Sequence, residues 1–306
     1  MDYIQTIIIA IVEGLTEFLP VSSTGHMIIT QNLLGVQQGD PFVHAFTFII
    51  QFGAILSVVC LYRKRFFSID HSPVPEFAEM DLWQKTQHSF MENIWQSTKR
   101  GFYWLRHRLS FYWLLAVGVL PAVVVGLAAK KSGLLDWLLD SVEVVAVTLV
   151  LGGVFMLFCD RIFNKGVDEN GVDWKRAFKI GCFQCLSVIP GMSRSMSTIV
   201  GGMQQKLTRK QAAEFSFFLA VPTMAGATLL DLIEMFGEEA TWATTRNIEQ
   251  LALGSVIAFI VAIVAMKWFV GFLAKYGFKA FGWYRIIVGL IILIMLATGH
   301  SLAMVD

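Results

Sequence analysis

Glu13-Gly14-Leu15-Thr16-Glu17-Phe18-Leu19-Pro20-Val21-Ser22-Ser23-Thr24-Gly25-His26 is a polar island between the apolar runs Ile7-Ile8-Ile9 and Met27-Ile28-Ile29. Two carboxylates, four serine or threonine hydroxyls and an imidazole fall within these fourteen residues. Pro20 disfavours the helical region for Leu19, so the helix running from residue 3 breaks near that bond. Neither limb, 3–19 or 26–34, comfortably reaches the ~20 residues that cross a bilayer. A broken helix at membrane depth is tolerated only where it is buried in protein or lines a cavity. The stretch therefore reads as a re-entrant hairpin. Ionisable groups at such depth are costly and mark functional sites.

The whole chain supports a membrane setting. Its 306 residues are 56% hydrophobic and 15% charged, against about 25% charged in a soluble domain, and the mean hydropathy is +0.62. The formal charge of +1 gives no reason to expect a nucleic-acid partner. No cleavable signal peptide is expected, because the first apolar run lacks a basic leader and contains Glu13 and Glu17. Cys60, Cys159, Cys182 and Cys185 lie in or beside apolar segments. The pair Cys182-x-x-Cys185 has no second Cys/His pair beside it, so it reads as small buried side chains rather than a metal or redox site.

Spans are predicted at 44–62, 110–129, 141–159, 211–232, 251–273 and 282–298. Residues 66–108 are polar and read as a soluble loop with an amphipathic helix near 82–104. A second interrupted apolar segment covers 180–203 and breaks at Pro190-Gly191. It carries a second polar island, Pro190-Gly191-Met192-Ser193-Arg194-Ser195-Met196-Ser197-Thr198. The two islands and the Phe-rich segments after them are alike. The predicted fold is an all-α polytopic membrane protein of two inverted-topology repeats, 1–160 and 161–306, with 66–108 inserted in the first. Each repeat is a re-entrant broken-helix hairpin plus three transmembrane helices, a transporter-like pattern with a midplane site. If 62–108, 160–180, 206–210 and 267–285 face the cytoplasm, they hold 20 of the 24 Lys and Arg, as the positive-inside rule asks.

The two islands are predicted to face each other and form one phosphate site. Glu13 and Glu17 share a helical face, and two close carboxylates in low dielectric need a cation, a shared proton or an arginine. A vestibule facing water is the bland alternative. Hard oxygen ligands suit Mg²⁺, with Ca²⁺ second. Ser22, Ser23, Thr24 and Gly25 open a short helix whose free amides can bind an anion, or one serine simply caps it. A Ser23–His26 or Ser23–Glu17 pair could activate the hydroxyl. Arg194 stays charged and needs an anionic partner: a phosphate held bidentately, or one of the glutamates. Gly191, Ser193, Ser195 and Thr198 would support it. Gln51 is a weaker candidate on a span, and Glu214 reads as a cap.

With both islands in place, the chain resembles the bacterial undecaprenyl-diphosphate phosphatase family linked to bacitracin resistance. The likeness covers essentially the whole chain, including Gly181-Cys-Phe-Gln-Cys-Leu186 and Glu214-Phe-Ser-Phe-Phe-Leu-Ala-Val-Pro-Thr223. Two departures stand out. Met196 and Ser197 replace a Gly-Ala pair of the family pattern, and the loop 70–107 is long. The resemblance implies a phosphoric anhydride hydrolase that recycles an isoprenyl diphosphate lipid carrier for peptidoglycan synthesis. It also implies a divalent cation, a site in the bacterial inner membrane opening to the periplasmic face, and essential roles for Glu13, Glu17, His26 and Arg194. The sequence leaves a homodimer open as the assembled form. A lipid-phosphate flippase using the same pocket is the rival reading. The type-2 phosphatidic acid phosphatases rank below it, because their basic and His-x3-Asp motifs are missing.

Overall fold

A computed structural model describes residues 1–36, 40–68, 90–139, 141–237, 242–299 and 302. All the regular structure among these residues is helical. In chain order the helices are α1 (Tyr3–Thr16), α2 (Ser23–Leu33), α3 (Pro41–Leu61), α4 (Arg63–Phe66), α5 (Phe90–Arg108), α6 (Ser110–Lys131) and α7 (Leu134–Leu139). They continue as α8 (Val142–Phe163), α9 (Trp174–Gln184), a 3₁₀ turn (Cys185–Val188), α10 (Arg194–Gln204), α11 (Arg209–Gly237), α12 (Thr245–Tyr276) and α13 (Lys279–Ala297). Six of them, α3, α6, α8, α11, α12 and α13, are long and apolar enough to cross a membrane. They coincide with the six expected spans, so the chain is a multi-pass membrane protein.

The four remaining helices around the islands are short for identifiable reasons. α1 opens on a capping box: Asp2 accepts from the Gln5 amide, and the Gln5 side chain accepts from the Asp2 amide, both at 2.7 Å. It ends at Thr16, and at 1.5 Å per residue its 14 residues cover only ~21 Å. The chain then turns through Glu17–Ser22, with the Val21 amide donating to the Leu19 carbonyl. α9 repeats this beginning. Asp173 caps it with the same φ of −99° and ψ of 174° as Asp2. Ser22 and Ser193, the same interval further on, both take positive φ, 68° and 69°, and both precede a short helix. Serine is uncommon in that region, so both turns are held there by their surroundings.

The hairpins are embraced by the spans. α1 packs on α12 while α9 packs on α6, so the first limb of each hairpin lies against a span of the other half. α3 packs on both α12 and α11, α10 lies on α11, and α8 pairs with α13. Small residues let the last pair approach. A Cβ at Gly153 would lie 2.7 Å from the Gly282 carbonyl, and one at Gly282 would lie 2.8 Å from the Gly153 carbonyl. α8, α11 and α13 are also tied at one end by Asp160, which accepts from Arg209 Nε at 2.9 Å and from the Phe278 amide at 2.7 Å.

Several expectations shift. Residues 82–89 of the expected amphipathic helix lie outside the described residues, and α5 continues it from Phe90 to Arg108. Phe102, Trp104 and Leu105 are exposed on it. Glu214 is no cap: α11 begins at Arg209, and Glu214 lies within it beside a cavity that Tyr62, Arg65 and Phe218 also line. Asp231 and Glu234 flank the end of the span at Ile233, while the helix itself runs on to Gly237.

Replacing Asp160 by Ala would leave a largely buried Arg209 without its carboxylate and free the Phe278 amide. The expected cost is about 2–3 kcal/mol of stability, read as a lower thermal unfolding midpoint of the detergent-solubilised protein. An unchanged midpoint would show that this tie carries no weight.

Candidate functional site

The two breaks meet. Ser23 and Arg194 are each the first residue of a short helix, α2 and α10, and both line a cavity of about 220 Å³. Glu17 joins them. Its Oε2 accepts from Ser23 Oγ at 2.7 Å, and its Oε1 accepts from Arg194 Nη2 at 3.1 Å. The Arg194 and Glu17 side chains are 11% and 5% exposed, so this is a buried ion pair. Removing one partner of such a pair costs about 3–5 kcal/mol, because the other charge is left uncompensated. Arg194 Nη1 reaches only the Ser216 carbonyl, at 3.4 Å.

Hydroxyls brace the breaks against each other. Ser195 Oγ donates to the Leu19 carbonyl at 2.8 Å, crossing from α10 to the first break, and lies 3.1 Å from Ser193 Oγ. Ser193 Oγ caps α10 by accepting from the Met196 amide at 3.3 Å. Thr198 bonds the Arg194 carbonyl and, at 2.5 Å, the Ser216 hydroxyl of α11. Ser22 caps α2 with its backbone alone. Two helix N-termini with amides free for an anion therefore open onto one cavity beside a guanidinium.

The predicted residues fall into three groups. Glu17, Ser22, Ser23, Thr24, Gln51, Gly191, Ser193 and Arg194 line the cavity together. Ser195 and Thr198 are buried behind it as braces. Gly25 packs against α8, where a Cβ would meet Leu149 at 2.8 Å. Met196 and Ser197 are buried and line a separate apolar cavity with Met192 and Phe155, so the larger side chains at these positions fill space away from the polar cavity. Glu13 and His26 are outside the cavity wall. Glu13 is buried, and its Oε1 has no hydrogen-bond partner. His26 engages partners other than Ser23. Its Nδ1 is 2.7 Å from the Ser22 carbonyl and its Nε2 is 2.7 Å from the Tyr284 hydroxyl, with the two rings stacked. Ser23 thus pairs with Glu17, and the Ser23–His26 pairing is not formed.

Sequence reasoning missed Ser187, Ile189, Thr223, Met224 and Ala227 in the cavity wall, and above all Arg285. It counted Arg285 among the cytoplasmic cations. The side chain is fully buried and reaches carbonyls of both breaks. The signal was available: a lone arginine among the apolar residues of a span is as conspicuous as Arg194. Its position at one end of a run of basic segments disguised it. The remaining cations keep the charge asymmetry.

Glu13 and Glu17 were also the expected cation ligands. Among the described residues no group of three or more His, Cys, Asp or Glu could hold a metal ion. Both Glu17 oxygens are engaged, and Glu13 contributes one unpartnered buried oxygen. Mg²⁺ is commonly held by one or two carboxylates, with phosphate oxygens and water completing its shell. The donor set fits that mode and does not form an all-protein cage.

The fold and the pocket define a polytopic membrane protein with a polar cavity between two broken helices. The comparisons place it further: the chain belongs to the bacitracin resistance protein BacA family, whose model matches residues 6–291. It is 50% identical over 304 residues to a Porphyromonas gingivalis protein named undecaprenyl-diphosphatase, covering 99% of this chain and all of that one. Proteins of the same name from Flavobacterium psychrophilum and Aquifex aeolicus are 45% identical over 305 residues and 38% identical over 290. These matches cover 100% of this chain and of the first protein, and 94% of this chain and 96% of the second.

Tyr284→Phe removes one partner of His26 and keeps the ring stack. A single hydrogen bond is worth about 1 kcal/mol, so turnover of the lipid diphosphate should fall by no more than about tenfold, while Ser23→Ala falls far more. Equal losses in steady-state phosphate release would put the His26–Tyr284 pair into the chemistry itself.

Proposed function

We propose that this chain hydrolyses undecaprenyl diphosphate to undecaprenyl phosphate and inorganic phosphate, returning the lipid carrier to cell-wall synthesis and conferring bacitracin resistance. The observation that carries this reading is the Ser23–Glu17–Arg194 array at two convergent helix N-termini, in a family whose relatives bear the name undecaprenyl-diphosphatase. A hydroxyl already bonded to a carboxylate is what transfer to serine requires, and simple lipid binding does not require it. The flippase reading finds no support in the family or in the names of these relatives.

In the mechanism we infer, the terminal phosphate enters beside Arg194 and the amides that open α2 and α10. Arg194 then shares its charge between Glu17 and phosphate oxygens. Phosphoryl transfer needs mainly positioning and stabilisation of charge on the equatorial oxygens, and these groups supply both. Ser23 Oγ bonds to the terminal phosphorus and its proton passes to Glu17. The bond from that phosphorus to the bridging oxygen breaks, and undecaprenyl phosphate leaves with the bridging oxygen. Water then attacks the phosphoserine: Glu17 returns its proton to the serine oxygen as the phosphorus–oxygen bond to Ser23 breaks, takes one proton from the attacking water and releases it to solvent, and inorganic phosphate leaves. Direct attack by water, with Glu17 as base, is the alternative the same geometry allows. His26, with both ring nitrogens engaged outside the cavity, steadies the Ser22 turn. A divalent cation arriving on the diphosphate would be held by Glu13 and Glu17 and would neutralise phosphate charge. We place the protein in the bacterial inner membrane as two inverted repeats, with the cavity opening to the periplasmic face. The matched caps and turns of the two halves support the repeat, and the distribution of basic residues supports the orientation.

Purified protein should release phosphate from undecaprenyl diphosphate with Mg²⁺ and lose that activity in chelator. Glu17→Gln and Arg194→Ala should each lower kcat/KM by at least about 100-fold. A rapid acid quench should trap phosphate on Ser23; turnover without any adduct would favour direct attack by water. Release that survives Arg194→Ala would place the site elsewhere.

A further inference from the structure

Arg285 is the least expected side chain in the molecule. It is fully buried in α13, and no carboxylate is among its partners. Its five hydrogen bonds all go to backbone carbonyls. Nη1 donates to Pro20 at 3.3 Å and Met192 at 3.2 Å, Nη2 to Gly191 at 2.8 Å and Thr148 at 3.2 Å, and Nε to Leu149 at 3.4 Å. Pro20 belongs to the first break, Gly191 and Met192 to the second, and Thr148 and Leu149 to α8. One guanidinium therefore holds both breaks to one span.

A trans peptide is planar, so turning its carbonyl one way turns the following amide the other. The Met192 carbonyl points to Arg285. The Ser193 amide on the same plane points away from it, and Ser193 lines the cavity. Among the described residues that amide has no acceptor. At the first break the Val21 amide folds back onto the Leu19 carbonyl, which also receives Ser195 Oγ. The same guanidinium thus faces carbonyls that would otherwise be free to turn toward an anion.

We propose that Arg285 is a positioning residue: by drawing the carbonyls of Pro20, Gly191 and Met192 to itself, it keeps both breaks in register and directs the Ser193 amide at the phosphate. The proposal rests on the cavity between the breaks being the phosphatase site. Arg285 does not touch substrate; it acts through the backbone. It also leaves the region with a positive charge that no carboxylate cancels, suited to a polyanionic head group.

Gly152 provides an independent handle. It lies on α8, outside the cavity wall, and a Cβ there would land on Arg285 Nη2. Gly152→Ala keeps every polar group and every charge but displaces the guanidinium, the far end of a flexible side chain. The experiment compares wild type, Arg285→Met, Arg285→Lys, Gly152→Ala and Arg194→Ala in steady-state phosphate release from undecaprenyl diphosphate, with thermal unfolding of each. Misplacement of catalytic groups by about 1 Å costs about 100-fold in turnover. Arg285→Met is expected to lose about that in kcat with KM changed less than about threefold. Gly152→Ala is expected to lose about tenfold in kcat, as a smaller displacement of the same group. Lysine, which cannot reach five carbonyls, should rescue only in part.

A well-folded Arg285→Met with wild-type kcat would overturn the proposal. If that variant does not fold, Gly152→Ala decides: unchanged kcat in a folded protein overturns it, and a kcat loss at unchanged unfolding temperature supports it. Full activity of Arg194→Ala would instead remove the site on which the proposal depends, a separate result from a failure at Arg285 alone.

Discussion

The structure depends on one constraint: two helices are broken at membrane depth, and the backbone groups freed there must find partners inside the protein. Unsatisfied carbonyls and amides cost several kcal/mol each in hydrocarbon. The molecule answers with donors brought from elsewhere in the chain. Ser195 reaches the Leu19 carbonyl, Thr148 reaches the Pro190 carbonyl, and Arg285 covers Pro20, Gly191 and Met192. The carbonyls are thereby drawn away, and the amides that open α2 and α10 are left free to serve an anion. Breaking the helices thus leaves two sets of helix-opening amides facing one cavity.

Within that frame the ionisable groups have separate tasks. Glu17 is the centre of the cavity, shared by a guanidinium and a hydroxyl. Without substrate it balances Arg194. His26 and Glu13 stand one layer back. A histidine bonded at both nitrogens holds its neighbours in place, and this one holds the Ser22 turn whose positive φ aims α2. Glu13 is buried one helical turn from Glu17, and its Oε1 has no hydrogen-bond partner among the described residues.

The spans serve this centre by packing closely around short, strained elements. α1 and α9 are too short to cross the membrane, and each leans on a span of the other half. Glycines at the α8–α13 contact bring the two backbones close enough for Arg285 to reach across from α13 to the carbonyls of α8 and the breaks. Close helix approach and the buried arginine are therefore parts of one arrangement.

Much was legible in the sequence, because it is written in local terms. Hydropathy and run length define six spans, Pro20 and Pro190-Gly191 mark the breaks, and costly polar groups inside apolar runs point to Glu17, Ser23 and Arg194. These properties belong to neighbouring residues and survive without knowledge of the fold. What the tertiary structure alone decided is which polar group meets which. Ser23 turns to Glu17 rather than to His26, Ser195 and Thr198 turn into the core, His26 meets Tyr284, and Arg285 moves from a presumed surface cation to the joint of both breaks. Several of those contacts join distant parts of the chain: Ser195 and Leu19 lie 176 positions apart, His26 and Tyr284 258, and Arg285 and Pro20 265. They depend on the direction in which each broken helix re-emerges, and only the packing of the spans sets that direction.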